Sequence, residues 1–273
     1  QVESYIEERP DSALNVLQGM DKGELSGKEE KAKHALLLSM AMDKNYIDRT
    51  DFDVLQPAID FYEDHGSATD KLRTYYYQGR IYQNAGNDAA AMESFVNSLD
   101  VGSESNDNLT KARILVAQSN IYYSLMKWEK VCDVNIEAAN YYNELGRTNN
   151  YVYCLLRCIG GYIQSNNFDK AKDLLGKCYQ YTENLPELLI SEIYSYHLLY
   201  SVAANNFESV PLIIGEYKNK VSEENIDYLT VAGAYADIGA YDKAEDMLVR
   251  INTKSLEDNH CCPVKVPDDY YKV

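Results

Sequence analysis

Apolar positions recur at helical spacing along almost the whole chain. Ala13, Leu14, Val16 and Leu17 form a stripe behind Pro10, a residue suited to the first turn of a helix. Residues 29–43 offer Ala35, Leu36, Leu38 and Met42 on a second helix. Asp51 or Asp53 is placed to cap a third, which runs to about Asp64 and ends at His65-Gly66. From Thr69 onward the spacing predicts alternating helices joined by short polar turns at 85–87, 125–127, 165–167, 204–206 and 238–240. Such short connections suit antiparallel helix pairs. No alternating strand pattern, Pro-rich linker or low-complexity tract interrupts the series, so the pattern predicts an all-α chain.

The helical segments repeat. A phrase of the form Tyr-x3-Gly-x-Tyr-x2-Ala-x3-Leu/Phe is carried by Tyr82, Gly86, Ala91 and Phe95, and again by Tyr235, Gly239, Tyr241, Ala244 and Leu248. Tyr122, Trp128 and Ala138 hold the matching places in one intermediate copy. Tyr162, Phe168, Ala171 and Leu175 hold them in another, and Phe207 and Ile214 in a weaker one. The aromatic opening the second half steps from Trp128 to Phe168, Phe207 and Tyr241, at intervals of 40, 39 and 34 residues. A fixed period in this range marks an array of small units, none able to bury its apolar face alone. Tyr82, Ala91, Phe95, Tyr122, Tyr162, Ala171, Tyr235 and Ala244 are therefore expected between helices.

With these residues in place, the chain resembles the tetratricopeptide repeat (TPR) family over roughly residues 10–252. Tyr75, Gly79, Tyr82, Gly86, Ala91 and Phe95 match the pattern, as do Tyr228, Tyr235, Gly239, Tyr241, Ala244 and Leu248. The middle copies depart: Ser119 and Ile159 replace the first glycine, and Asn135 the second-helix aromatic. The resemblance implies a TPR-like α-solenoid of about six or seven stacked hairpins, whose first helices line a groove for peptides or partner proteins. It implies one superhelix over 1–273: degenerate hairpins over 1–68, regular repeats over 69–252, and the start of a further unit over 253–273. A second resemblance runs through Arg9-Pro10-Asp11-Ser12-Ala13-Leu14 to extracytoplasmic TPR segments of bacterial envelope regulators. It implies a periplasmic or envelope-associated sensory or scaffold role, with a cytoplasmic location as the alternative. Gln1 and Val273 both look internal to longer elements, which predicts that the protein continues beyond them.

Composition narrows the partners. The 43 acidic residues outnumber 26 basic ones, a net charge of −17 that repels a phosphate backbone and argues against nucleic acid. No apolar run reaches the roughly 18 residues needed to cross a bilayer, so direct insertion by this segment is not expected. The 25 tyrosines suit half-buried helix seams. Cys132, Cys154, Cys158, Cys178, Cys261 and Cys262 show no zinc-site spacing with His34, His65, His197 or His260, so no metal is expected. The helical thiols read as small core residues, while Cys261-Cys262, in a loop before Pro263, is the more reactive candidate with no catalytic partner. Glycine-rich phosphate loops, H-E-x-x-H and G-x-S-x-G are absent from the sequence, which argues against an enzyme and against a cofactor.

The candidate site comes from the TPR groove positions. On the first helix starting near Leu72 these are Arg73, Tyr76, Arg80 and Asn84. On the next they are Arg113, Asn120 and Tyr123, and Arg157 lies beside those of the third. Arginine holds carboxylates through paired hydrogen bonds, so the expected ligand is a protein or peptide segment bearing carboxylates. The competing reading is that these arginines pair with Asp and Glu of neighbouring hairpins. The later units offer an apolar surface instead, with Leu199, Val202, Ala203, Ile226, Leu229 and Ala236. A binding module is the favoured function. The alternatives are the regulatory arm of an enzyme whose catalytic part lies elsewhere, or a self-assembling structural array.

Overall fold

The computed structural model describes residues 2–21, 23 and 25–257. Regular structure among them is helical throughout, with thirteen α-helices, four short 3-10 turns and no strand. The chain divides into two compact units, residues 2–124 and 125–257 of those described. The first holds α1 (Pro10–Gly19), α2 (Lys28–Lys44), α3 (Gln56–His65), α4 (Ala68–Asn84), α5 (Asp88–Val101) and α6 (Asn108–Ser124). The second holds α7 (Trp128–Glu144), α8 (Thr148–Gln164), α9 (Phe168–Tyr179), α10 (Glu187–Ala203), α11 (Val210–Lys220), α12 (Tyr228–Asp237) and α13 (Tyr241–Glu257). Within each unit consecutive helices pack as hairpins, as α4 does with α5, α8 with α9 and α12 with α13. Each unit is a stretch of TPR-like α-solenoid. Cys261, Cys262, His260 and most of the expected terminal unit lie outside the described residues, and α13 itself continues to Glu257.

The turns explain the repeated phrase. Gly86, Asn166, Asn205 and Gly239 adopt φ of 75°, 56°, 56° and 77°. The N–H that follows each reaches back across the helix end to a carbonyl: Asn87 to Tyr82 at 2.9 Å, Asn167 to Tyr162 at 2.8 Å, Asn206 to Ser201 at 2.7 Å, and Ala240 to Tyr235 at 2.9 Å. This is the Schellman arrangement, which satisfies carbonyls left open at a helix end. The Tyr-x3-Gly spacing is thus the distance from the accepting carbonyl to the left-handed residue. Gly146, at φ 67°, closes α7 in the same way, with Arg147 N–H on the Tyr142 carbonyl at 2.8 Å. Met126 holds the left-handed position before α7 with φ 53°, and it is 71% exposed. A non-glycine residue there costs roughly 1–2 kcal/mol. Met126→Gly should therefore raise stability by about 1 kcal/mol, read as a higher denaturant midpoint; an unchanged or lower midpoint would refute the strain.

Small residues set the helix spacing. Ala91, Ala138 and Ala171 are fully buried, and Ala244 nearly so. Gly79 on α4 faces the Phe95 ring of α5: a Cβ there would stand 2.5 Å from a ring carbon. The core of the first unit runs through Leu36, Leu55, Leu72, Phe95 and Ile114; that of the second hairpins runs through Leu198, Val210, Tyr217 and Val231.

Several expectations are corrected. Tyr82, Tyr122 and Tyr162 are half-buried, each in the last turn of its helix, where fewer neighbours cover a side chain. Tyr82 packs edge-on to Phe52 at 5.0 Å, and the Lys170 ammonium stands 5.2 Å from the Tyr162 ring centre. Phe207 is 41% exposed, since a 3-10 turn over Phe207–Ser209 and Pro211 in the first turn of α11 delay that helix to Val210, which takes the buried place. On α13 it is Met247 that is buried, while Leu248 faces outward. Neither Asp51 nor Asp53 caps α3: that helix begins at Gln56 with Pro57 in its first turn, and Asp51 pairs with Arg49 instead.

Candidate functional site

In the first unit α2 and α4 open successive hairpins, and α6 follows, packed on α4 and α5. A capping box fixes the start of α4. Ser67 Oγ accepts from the Asp70 N–H at 3.2 Å, and Asp70 returns the bond to the Ser67 N–H at 3.3 Å. Asp107 begins α6 by accepting from the Thr110 N–H at 3.1 Å and the Thr110 hydroxyl at 2.8 Å. Those two helices carry Arg73, Arg80 and Arg113 at fixed places.

The cations converge on the chain's own first residues. Arg73 donates through Nε to Asp107 and through Nη1 to Glu3, both at 2.6 Å. Lys33 of α2 reaches the other oxygen of Glu3 at 2.9 Å. Arg113 grips Glu7 with two parallel bonds, at 3.0 and 2.8 Å, and Lys44 of α2 donates to the same carboxylate at 2.8 Å. Glu7 thereby joins residues 37 and 106 positions further along the chain. Between the two acids Ile6 is buried in the core at 1% exposure, which anchors the segment.

The electrostatics follow from burial and pairing. Burial pushes the Glu7 carboxyl up, but the Arg113 and Lys44 charges outweigh it and hold its pKa far below the usual carboxylate range. Asp107 shows the same contest: burial raises it, and Arg73 with the Thr110 bonds brings it below its ordinary value. Glu3 is lowered too: burial raises it, and Lys33 and Arg73 together more than offset that.

The eight expected site residues divide sharply. Arg73 and Arg113 hold the acids just described, and Arg80 donates to Asp43 at 3.1 Å and Gln83 at 2.7 Å. Asn84 donates to the Arg49 carbonyl at 3.2 Å. Tyr76 is a core residue at 2% exposure, edge-on to Tyr77, because its face of α4 is the one that meets Phe95. Asn120 and Tyr123 are exposed on α6. Arg157 is half-buried on α8 and belongs to the second unit, whereas the other seven belong to the first. Pairing with neighbouring acids, the competing reading, thus describes Arg73, Arg80 and Arg113. A recess of about 20 Å³ beside Arg80, Asn84, Arg49 and Asp43 has room for water rather than for a side chain.

Sequence reasoning missed Glu3, Glu7, Lys33, Lys44 and Asp107. The spacing of Glu3 and Glu7, four apart around an apolar Ile6, was the available signal. In the second unit, Leu199 and Leu229 are exposed at 47% and 67%, whereas Ile226 is buried. His197 Nδ1 meets the Tyr179 hydroxyl at 2.8 Å, and burial lowers its pKa against the pull of Glu216.

The architecture defines a TPR-like helical-repeat protein, and solved structures share it. A Rap protein complexed with competence and sporulation factor matches with a TM-score of 0.62 at 13% identity, covering 94% of this chain and 73% of that one. The apo form of RapI matches with a TM-score of 0.62 at 16% identity, covering 95% and 73%. BtubC from P. vanneervenii matches with a TM-score of 0.50 at 13% identity, covering 97% and 95%. At these identities the likeness is one of fold. No protein-family model matches the sequence, and no curated protein matches it either.

Proposed function

We propose that this chain is a non-enzymatic module that binds a protein or peptide segment, with the α2, α4 and α6 face of the first unit as its ligand surface. The observation that carries the reading is the docking of residues 2–9. Cations from α2, α4 and α6 take two carboxylates of one short segment, with an apolar residue between them. A face that holds such a segment in cis has the chemistry to hold one in trans. Arg73 and Arg80, half-buried and reachable from solvent, are its cationic contacts, and exposed Asn120 and Tyr123 extend it along α6. A fold of this kind with a factor bound, as in the Rap complex, supports a binding role. Among the described residues no helix is long and apolar enough to cross a membrane.

The test starts with a partner captured on the immobilised chain and identified by mass spectrometry. Its affinity is then measured against the parent and an Arg73→Ala/Arg80→Ala variant. Each lost charge-assisted bond costs about 1.5–3 kcal/mol, so binding should weaken at least roughly tenfold with helicity unchanged. Added salt should weaken it as well. Unaltered affinity would reject this face and move the site to the exposed Leu199 and Leu229 on the second unit. The wider role, as the sensory or scaffold part of a larger bacterial envelope regulator, rests on the sequence resemblance. Cell fractionation tests it, and a cytoplasmic protein would reject it.

A further inference from the structure

Four thiols lie buried in the second unit: Cys132 on α7, Cys154 and Cys158 on α8, and Cys178 on α9, all in the free form. Two of them face each other. Cys132 Sγ donates to the Cys158 carbonyl at 3.5 Å, and Cys158 Sγ donates to the Cys132 carbonyl at 3.6 Å. Each sulfur therefore lies against the backbone that carries the other. The close approach has a cause in the sequence. Gly161, one turn beyond Cys158, lets α7 sit where a side chain would forbid it: a Cβ there would stand 2.8 Å from Cys132 Sγ and 3.2 Å from the Trp128 carbonyl oxygen. The binding reading uses neither thiol, and packing alone does not require two sulfurs at this seam.

We propose that Cys132 and Cys158 form an oxidation site, at which a hydroperoxide converts the facing thiols into a disulfide that staples α7 to α8. The Cys132 sulfur attacks one peroxide oxygen. The O–O bond breaks, the thiol proton goes to the departing oxygen, and a sulfenic acid and one water result. The Cys158 sulfur then attacks the sulfenic sulfur, the S–O bond breaks, and the second water leaves with the Cys158 proton. Two thiols and one hydrogen peroxide give one disulfide and two waters, with two electrons passing from sulfur to oxygen. Cys132 is the first nucleophile, because the facing Cys158 lowers its thiol, while that same contact and burial raise the Cys158 thiol. Cys178 is inert, its thiol pushed up to about 12 by burial. Cys154 and Cys158, one helical turn apart on the same helix, lack bridging geometry. Cys132 is 2% exposed, so the reaction proceeds through local opening of the seam and is slow.

The test uses the full chain, treated with hydrogen peroxide, quenched, alkylated in denaturant, digested and mapped by mass spectrometry. The expected product is a peptide pair joining Cys132 to Cys158, lighter by two hydrogens, with Cys154 and Cys178 alkylated. The melting temperature should rise by several degrees, because the bridge constrains the unfolded chain. Cys158→Ser should stop at the sulfenic acid on Cys132, trapped by dimedone. Should that variant fail to fold, the map of the parent decides alone. Full alkylation of Cys132 and Cys158 after prolonged peroxide treatment would overturn the proposal. So would a bridge that joins either to Cys154, Cys178, Cys261 or Cys262.

Discussion

Glu7→Gln should destabilise the first unit by about 3–5 kcal/mol, the range found when one partner of a buried charge pair is removed. The size follows from what remains. The side chains of Arg113 and Lys44 are only 5% and 4% exposed, and both pair with this carboxylate. A neutral amide keeps the shape and one acceptor but removes this counter-charge from two cations that have little water around them. Glu8→Gln is the control: Glu8 is exposed, and its loss should stay within about 0.5 kcal/mol. Equal midpoints for the two variants in urea would refute the pairing.

The same contact sets a pH dependence. The folded-state pKa of Glu7 is depressed from the ordinary 4.5, so the unfolded chain takes up its proton at a higher pH than the folded chain does. The stabilisation is therefore complete above about pH 4.5 and is lost progressively as the pH falls towards the depressed value. Glu3 and Asp107 are lowered as well and act in the same direction. The stability gap between parent and Glu7→Gln should narrow from neutral pH to about pH 3, where the unfolded parent is protonated at this position. A gap independent of pH would mean that the pair is not ionic.

How much of this was legible depended on the range of the interaction. The turns were placed from Gly86, Asn166, Asn205 and Gly239, since a left-handed helix cap is a local event with a local residue preference. Met126 adopts the same conformation without that preference, so its geometry came from its place in the repeat rather than from its chemistry. The small positions Ala91 and Ala171 were legible because nearest-neighbour packing repeats with the chain. The aromatic positions were less so: Tyr235 is buried, Tyr162 is half-buried and Tyr241 is exposed, because a tyrosine ring can satisfy either a seam or a turn. The candidate site lay at the far limit. Arg113 was picked out by position, but its partner stands 106 residues away, and a period carries no information about a contact that skips repeats. An irregular segment filling that face had no signature beyond two glutamates.

Phe95→Ala should cost about 3–5 kcal/mol, as expected for truncating a fully buried aromatic ring. Gly79→Ala should cost less, about 1–3 kcal/mol, because the new methyl would stand 2.5 and 2.6 Å from two carbons of that ring, which is held in the core and cannot swing aside. The better helix propensity of alanine offsets up to roughly 1 kcal/mol of that strain. The two changes should not add. Once the ring is gone, the Gly79→Ala methyl meets a void instead of a carbon, and it fills part of the cavity left between α4 and α5. The double variant should therefore be no less stable than Phe95→Ala alone, a coupling of at least about 1 kcal/mol in a double-mutant cycle read by urea unfolding. Strict additivity would mean that Gly79 is there for some reason other than the ring, and the register of the α4 and α5 hairpin would have to be redrawn.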